Sequence, residues 1–373
     1  MLFRSLQKNN RIIEMDIIRG FALFGVLLVN MTMIDATMYS YESPNLLIHL
    51  FAVGKFYTLF SMLFGLGFFY FMNKPDGTLV AGHLFKRRLI ALFFFGLLHL
   101  IFVWYGDILH VYAITGAVLF NSRNRSVKAL LKTSVMLFIL STLMFAWFRS
   151  SGGTQADMSS VVRDAEIAYT QTSYFSMIFY RLTHELPLIA FNFIAVLPKI
   201  LSLFMFGYYI GKRQILSSLE DHLSLIRRTW RFSGVFALVC GLGYTLIMGE
   251  YIALRLEMLA VLFDELLTLS GALFYATSLI LLYQSARFKK IVSPLQFPGK
   301  MALTNYLIQT ICFTTLFYGY GAGLYGKIPD WAYFPLAITF YLIQICISKW
   351  WLSHHAFGPM EKVWRKFTYS QSR

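Results

Sequence analysis

Residues 187–211 read PLIAFNFIAVLPKILSLFMFGYYIG, and Lys199 is the only charged residue in this run. About 20 consecutive apolar residues in a helix cross a hydrocarbon core of roughly 30 Å, so the run is long enough to span a membrane. Similar runs recur along the chain, whereas the alternating pattern typical of transmembrane strands does not. The sequence therefore predicts an all-α, polytopic integral membrane protein.

The composition agrees with a membrane location. Of the 373 residues, 57% are hydrophobic and 14% are charged, and the mean hydropathy is +0.60. These values leave too few polar side chains to cover a water-soluble globule of this size. The net charge of +15 is also found in nucleic-acid-binding proteins, but here Lys and Arg lie in short clusters between apolar runs. We therefore expect the lipid bilayer, and no nucleic acid, as a partner.

About ten transmembrane helices are predicted from the length of the apolar runs. They cover residues 17–33, 56–72, 89–105, 108–120, 129–148, 187–211, 232–248, 258–284, 301–318 and 331–352. If the N-terminus is cytoplasmic, the internal segments contain 25 Lys or Arg and the external segments contain 6. Because Lys and Arg are concentrated in cytoplasmic loops, this imbalance predicts that both termini are cytoplasmic. We expect the cell membrane, plasma or inner, as the location.

One transmembrane domain over residues 1–373 is the simplest partition. Residues 149–186 form an external connection that begins polar and becomes aromatic. Residues 212–231 carry apolar side chains at helical spacing, which predicts an interfacial helix on the cytoplasmic side. Residues 353–373 are predicted to be a cytoplasmic C-terminal tail.

His99, Asp107 and His110 flank a tight turn between two predicted spans. A carboxylate that bonds one ring nitrogen of a histidine fixes its tautomer, so the other nitrogen can take a proton from a hydroxyl or an amine. We therefore predict His99 and Asp107 as the first catalytic candidates and His49, in the first external loop, as the second. The alternatives are polar helix packing for His99 and Asp107 and simple surface solvation for His49.

Other charged residues inside the spans are functional candidates because a charge in a bilayer is costly. Asp16 and Arg19 are three residues apart on one helix, so we expect them to pair. Asp264 and Glu265 point about 100° apart on their helix, and Lys199 is the candidate counter-charge for this acidic pair.

Amides and a hydroxyl form a further polar face on the ninth predicted span. Asn305, Tyr306 and Gln309 are expected to make hydrogen bonds between helices. His, Cys and carboxylate residues show no metal-ligand spacing, so we expect no metal.

Five blocks carry a resemblance to a known family. They are RIIEMDIIRGFALFGVLLVN (11–30), KFYTLFSMLFG (55–65), the segment from His99 to Asp107 together with its ending GDIL (106–109), GKMALTNYLIQ (299–309) and GPMEKVWR (358–365). In this order they resemble the bacterial YeiB-like membrane proteins, whose C-terminal half is a domain of unknown function.

The first half of the chain also resembles a wider superfamily of transmembrane acyltransferases, which includes the lysosomal heparan glucosaminide N-acetyltransferases and bacterial O-acyltransferases. In the O-acyltransferases a catalytic histidine follows an Arg-Gly pair by ten positions, and Asn30 stands at the matching position here. The heparan-type enzymes resemble this chain in having an amide there, and they use a histidine in the loop where His49 lies.

This resemblance implies an acyl group moving from cytoplasmic acyl-CoA to a hydroxyl or amine of a cell-envelope acceptor. Arg87 and Arg88 are the predicted ligands of the CoA phosphates, with positive-inside anchoring as the alternative. Arg19 and Asn30 are predicted to polarise the thioester carbonyl. An ion-coupled transporter or flippase and a noncatalytic membrane partner or sensor stay open, and so do the acyl group, the acceptor and the oligomeric state.

Overall fold

The computed structural model describes residues 11–36, 45–73, 78–150, 159–171, 173–248 and 256–370, and helices are the only regular secondary structure in these ranges. In chain order the α-helices are α1 (Ile13–Ile34), α2 (Leu46–Phe51), α3 (Lys55–Met72), α4 (Thr78–Phe102), α5 (Leu109–Phe120), α6 (Val127–Ser150), α7 (Ser159–Thr170), α8 (Tyr174–Tyr180), α9 (Leu186–Lys212), α10 (Leu219–Met248), α11 (Glu257–Gln284), α12 (Ala286–Val292), α13 (Gln296–Lys300), α14 (Ala302–Phe317), α15 (Tyr333–His354) and α16 (Pro359–Tyr369). The all-α prediction is confirmed.

Within the described ranges, seven helical stretches are long and apolar enough to cross a membrane. They are Ile13–Ile34, Leu46–Met72, Val127–Phe148, Tyr174–Lys212, Leu219–Met248, Met258–Gln284 and Asp330–His354. The apolar helices α5 and α14 are shorter, with 12 and 16 residues. The chain is thus a polytopic integral membrane protein, whereas the count of about ten crossings and the sides of the termini stay predictions.

Apolar side chains cover much of the outside of the bundle. Val235, Leu238 and Leu242 on α10 are each more than half exposed, as are Leu143 on α6 and Leu342 on α15. An apolar surface of this extent is not stable in water, so lipid is the solvent for these helices.

Glycines let the central helices approach one another closely. A Cβ atom on Gly20 of α1 would lie 1.9 Å from a carbonyl oxygen of the turn before α13, and one on Gly299 would lie 1.9 Å from a carbonyl oxygen of α1. Gly65 of α3 and Gly207 of α9 make the same kind of reciprocal contact between their helices, also at 1.9 Å. Small residues at such crossings are the usual means of tight packing in membranes.

The described residues of the three predicted connecting segments are largely helical. Residues 159–185 contain α7, α8 and a π-helical turn, Arg181–Glu185, that leads into α9. Residues 219–231, which fall in the predicted interfacial helix, are the first turns of α10 and continue without interruption to Met248. In the predicted C-terminal tail, α16 packs against α4 and α14.

Candidate active site

The turn between α4 and α5 brings two histidines and a carboxylate together. His99 lies in the last turn of α4, Asp107 lies in the connecting turn, and His110 lies in the first turn of α5. The two helices come close because α4 has no side chain at Gly96. A Cβ atom there would lie only 2.2 Å from the backbone nitrogen of His110 and 2.8 Å from Oδ2 of Asp107.

Asp107 accepts hydrogen bonds from both histidines. Its Oδ1 lies 3.0 Å from Nδ1 of His99, and its Oδ2 lies 2.7 Å from Nδ1 of His110. The backbone N–H of His110 also donates to Oδ2, at 3.1 Å. All three side chains are buried. The structure confirms that His99 and Asp107 are in contact, whereas their catalytic role stays a prediction.

These contacts determine which nitrogen of His99 is available. An ionised carboxylate only accepts hydrogen bonds, so Nδ1 of each histidine carries a proton, and Nε2 of a neutral ring is then an acceptor. Nε2 of His99 is buried and has no hydrogen-bond partner among the described residues. The His99 ring lies against Tyr306 of α14, with 5.2 Å between the ring centres. This nitrogen can take a proton from a substrate group that reaches it.

The segment of residues 173–185, which was predicted to be part of an external connection, covers this turn. Arg181 donates to the carbonyl of Ile101 at 2.9 Å, and the Tyr174 hydroxyl donates to the carbonyl of Phe102 at 2.5 Å. In addition, α5 has 12 residues and is therefore about 18 Å long, which is less than the roughly 30 Å of a hydrocarbon core. The histidines consequently lie inside the bundle, beneath this covering segment.

This covering segment contains a buried ionic cluster that was not predicted from the sequence. Arg181 was counted as an external charge, but it is 1% exposed, and Glu185 is 0% exposed. Nε of Arg181 lies 3.7 Å from Oε2 of Glu185, and the Tyr169 hydroxyl donates to the same oxygen at 2.6 Å. The four-residue spacing of Arg181 and Glu185 is the signal that could have identified the pair.

His49 also bonds a carboxylate, although it does so through its other ring nitrogen. Its Nε2 lies 3.0 Å from Oδ1 of Asp264, and its ring stacks on Tyr244 with 4.6 Å between the centres. The side chains of His49 and Asp264 are 15% and 31% exposed, so this pair is more open than the pair at His99. The structure therefore retains two histidine–carboxylate pairs as candidates and places them on different helices.

The predicted partners of the other intramembrane charges are confirmed. Nζ of Lys199 donates to Oε1 of Glu265 at 2.6 Å, while the adjacent Asp264 points to a different partner. Arg19 donates to Asp16 at 3.0 Å.

The polar face of α14 makes the predicted hydrogen bonds at two of its three residues. Asn305 donates to Ser348 of α15 at 3.0 Å, and Gln309 donates to Gln344 of the same helix at 2.8 Å. Tyr306 lies instead against the His99 ring.

Arg87 and Arg88 lie on the same helix as His99 but face the C-terminal helix. The Arg88 guanidinium stacks on the Trp364 ring at 3.9 Å, and Arg87 donates to the Phe367 carbonyl at 2.6 Å. Eleven residues separate Arg88 from His99 along α4, which corresponds to about 16 Å. Arg87 thus fastens α16 to α4, while Arg88 lies between the two helices.

Cations are crowded at this end of the bundle. Arg11 and Arg19 share the carboxylate of Asp16, at 2.5 and 3.0 Å. Burial lowers the pKa of Lys300 and that of Arg365, and the nearby Arg11 lowers both further. An excess of positive charge at partly buried positions suits a ligand with several negative charges.

Asn30 is half-buried and lies far from Arg19 on the same helix. The eleven residues between them correspond to about 16 Å along α1. The two side chains therefore cannot contact one carbonyl oxygen, which corrects the expectation that they polarise it together.

Among the described residues, no group of three or more His, Cys, Asp or Glu is arranged to hold a metal ion. The expectation that no metal takes part stays a prediction.

Comparison with known proteins identifies relatives of nearly full length. The protein named Uncharacterized protein YxaH, from Bacillus subtilis (strain 168), is 31% identical over an alignment of 401 positions, gaps included, that covers 97% of this chain and 95% of the relative. The chain belongs to the YeiB-like DUF418 family. Uncharacterized protein YeiB of Escherichia coli (strain K12) is 27% identical over an alignment of 391 positions, gaps included, that covers 96% of both chains.

The model of the DUF418 family, described as a protein of unknown function, matches residues 210–371. This part begins at the end of α9 and includes α10 to α16, so His99 and Asp107 lie before it. No solved structure matches the chain.

Proposed function

We propose that this YeiB-like protein is a membrane acyltransferase that moves an acyl group from cytoplasmic acyl-CoA to a hydroxyl or amine of an envelope acceptor. The observation that carries the proposal is the state of His99. Its Nδ1 is held by Asp107 at 3.0 Å, and its Nε2 is buried without a partner among the described residues. A histidine held in this way is suited to general-base catalysis.

The reaction needs one proton acceptor and one proton donor. Nε2 of His99 takes the proton of the acceptor hydroxyl or amine while the acceptor oxygen or nitrogen attacks the thioester carbonyl. The new ester or amide bond forms, the carbon–sulfur bond breaks, and the proton passes from His99 to the CoA thiolate. Asp107 stabilises the imidazolium ion that exists between these two proton transfers.

The cations of α1 and α4 support the proposal that acyl-CoA enters from their end of the bundle. Arg88 is near enough to Arg19 and Arg365 to act on them electrostatically, so it belongs to the same cationic region. About 16 Å of helix separates Arg88 from His99. This separation is comparable to the length of an extended phosphopantetheine arm. The phosphates would therefore lie at the cations while the thioester reaches the histidine. Arg87 contributes less directly because it holds α16.

Orientation and location are part of the proposal. The cationic region belongs to the cytoplasmic side under the positive-inside rule, which places the covering segment outside. We assign the protein to the plasma or inner membrane of the cell, with an acceptor from the envelope.

The proposal is tested with purified protein, labelled acetyl-CoA and extracted envelope acceptors. The wild type should transfer label, and His99→Ala should lose transfer while His49→Ala keeps it. Loss in His49→Ala alone would move the base to the second histidine, and absence of transfer in the wild type would overturn the proposal.

An ion-coupled transporter is the second candidate because of one observation. Lys199 lies at the midpoint of α9 and is bonded to Glu265, and such intramembrane charges often serve ion coupling. Accumulation of a solute by proteoliposomes in response to an ion gradient, without CoA binding, would favour this function. If the protein neither transfers label nor accumulates a solute, a noncatalytic partner or sensor would be favoured.

A further inference from the structure

Lys55 is a buried cation without a direct counter-ion. It is the first residue of α3, and its side chain is 1% exposed. Its ammonium group donates one hydrogen bond, to the carbonyl of His49 at 2.8 Å. No carboxylate oxygen of the described residues lies within 4.0 Å of it. An ammonium has three donors, so two of them have no hydrogen-bond acceptor among the described residues.

The neighbouring charges are already paired with other groups. Asp264 is near enough to act electrostatically on Lys55, but its carboxylate is bonded to His49. Glu265 is bonded to Lys199. Asp264 and Glu265 are therefore each bonded to another side chain, and Lys55 has no carboxylate of the described residues as a direct partner.

The position of Lys55 at the start of its helix adds to the excess of positive charge. The N-terminus of a helix carries partial positive charge, so a cation there is unfavourable and an anion is favourable. Thr58, one turn further along the same face, is 1% exposed, and its hydroxyl has no hydrogen-bond partner among the described residues. The helix end, the ammonium and the hydroxyl together provide donors and positive charge at one place.

The Lys55 side chain packs closely against α11, and a partly exposed pair of side chains lies near it. Gly271 of α11 faces the lysine stem, and a Cβ atom there would lie 3.0 Å from Cγ of Lys55. Above it, α2 carries His49, whose side chain and that of Asp264 are partly exposed. The site therefore opens at the His49–Asp264 pair.

We infer that Lys55, with Thr58 and the N-terminus of α3, binds a single anionic oxygen group, a carboxylate or a phosphate, that enters past His49 and Asp264. The site is separate from the His99 centre and does not depend on acyl transfer. A dissolved carboxylate or phosphate and the phosphate of a lipid headgroup offer the same chemistry. Leu47 and Phe51 of α2 are more than half exposed, so the opening also borders on lipid.

The test measures the melting temperature of the purified protein, without acyl-CoA, as sodium acetate or sodium phosphate is added against a sodium chloride control. The wild type should show a saturable rise with at least one of the two anions. Lys55→Met has a similar volume and should lose the rise, while its melting temperature without ligand should not fall, because an uncompensated charge has been removed. Lys327→Gln, which changes an exposed external lysine, should keep the wild-type rise.

A second variant keeps the inference falsifiable if Lys55→Met does not fold. Asp264→Asn removes a nearby negative charge and should enlarge the rise in melting temperature.

Nanodiscs of phosphatidylcholine with and without phosphatidylglycerol distinguish a lipid headgroup from a dissolved anion as the ligand. A rise with phosphatidylglycerol that needs Lys55 assigns the site to a lipid headgroup, and a rise with the dissolved anions assigns it to a soluble ligand. Equal rises in Lys55→Met and the wild type, no rise with any of these probes, or an unchanged rise in Asp264→Asn would overturn the inference.

Discussion

Lys199, at the midpoint of α9, donates a hydrogen bond of 2.6 Å to Glu265 of α11. The side chains of this pair are 9% and 10% exposed, so both charges are withdrawn from solvent. The pair joins two helices deep in the bundle. An isolated charge at such a depth would be expensive, and each residue therefore depends on the other.

Breaking this pair on one side should be more harmful than removing it altogether. Lys199→Met and Glu265→Gln should each lower the free energy of unfolding by about 3 to 5 kcal/mol, because the remaining charge is left buried and unpaired. The double variant should recover most of this loss. Denaturant unfolding of the purified protein in detergent measures all three, and additive losses in the double variant would show that the two residues are not coupled.

The close contact at Gly20 predicts that alanine destabilises the protein at position 20 but not at position 67. Gly20→Ala should destabilise the protein by at least about 1 to 3 kcal/mol, because the new Cβ atom would collide with a backbone carbonyl that cannot swing away. Gly67→Ala is the matched control, since a Cβ atom on Gly67 meets nothing within 4 Å. It should be neutral or stabilising by about 0.5 to 1 kcal/mol, as is usual for Gly→Ala in a helix. Melting temperatures compare the two, and similar values for both variants would contradict the packing of α1.

The Glu361 carboxylate joins α16 to the start of α14. Glu361 accepts hydrogen bonds from the backbone nitrogens of Leu303 and Thr304, at 2.8 and 3.1 Å, and from the Thr304 hydroxyl at 2.5 Å. Glu361→Gln should weaken the docking by about 1 to 3 kcal/mol. Trypsin should then cut in α16 faster than in the wild type. Val363→Ala changes an exposed residue of the same helix and should leave the rate of cleavage unaltered. Equal rates in all three proteins would argue against a role of Glu361 in the docking of α16.

The orientation of the chain can be measured directly. In a variant whose three cysteines, Cys240, Cys312 and Cys346, are replaced by alanine, single cysteines are introduced in place of the exposed Lys289 and Lys327. A membrane-impermeant maleimide added to intact cells should label the cysteine at position 327 and reach that at 289 only after permeabilisation, because basic clusters stay in the cytoplasm. Labelling of both positions from the same side would contradict the predicted topology.

Local patterns in the sequence account for the parts of the fold and the site that could be predicted. Apolar runs identify helices directly because lipid requires them. His99 and Asp107 are eight residues apart across a tight turn, so their contact follows from chain connectivity. Lys199 and Glu265 could be matched because an unpaired charge inside a membrane needs an opposite one.

Contacts between distant segments could not be derived in this way. The bond from His49 to Asp264 depends on how α2 and α11 lie side by side, and a single sequence does not contain that register. The role of Arg87 was missed for the same reason, since its partner lies in α16. The continuity of α10, in contrast, has a local cause. Residues 219–248 contain no proline, so the amphipathic start and the apolar span form a single helix.

The central claim is that His99 acts as a base because Asp107 holds its other nitrogen. The most direct measurement is the initial rate of acyl transfer from labelled acetyl-CoA by the wild type, His99→Gln, Asp107→Asn and the double variant in proteoliposomes. Each single variant should lose about 10²- to 10⁴-fold in rate, and the double variant should be no slower than His99→Gln, because the two residues act as one unit. Wild-type rates in His99→Gln, with the protein folded and inserted, would contradict the account.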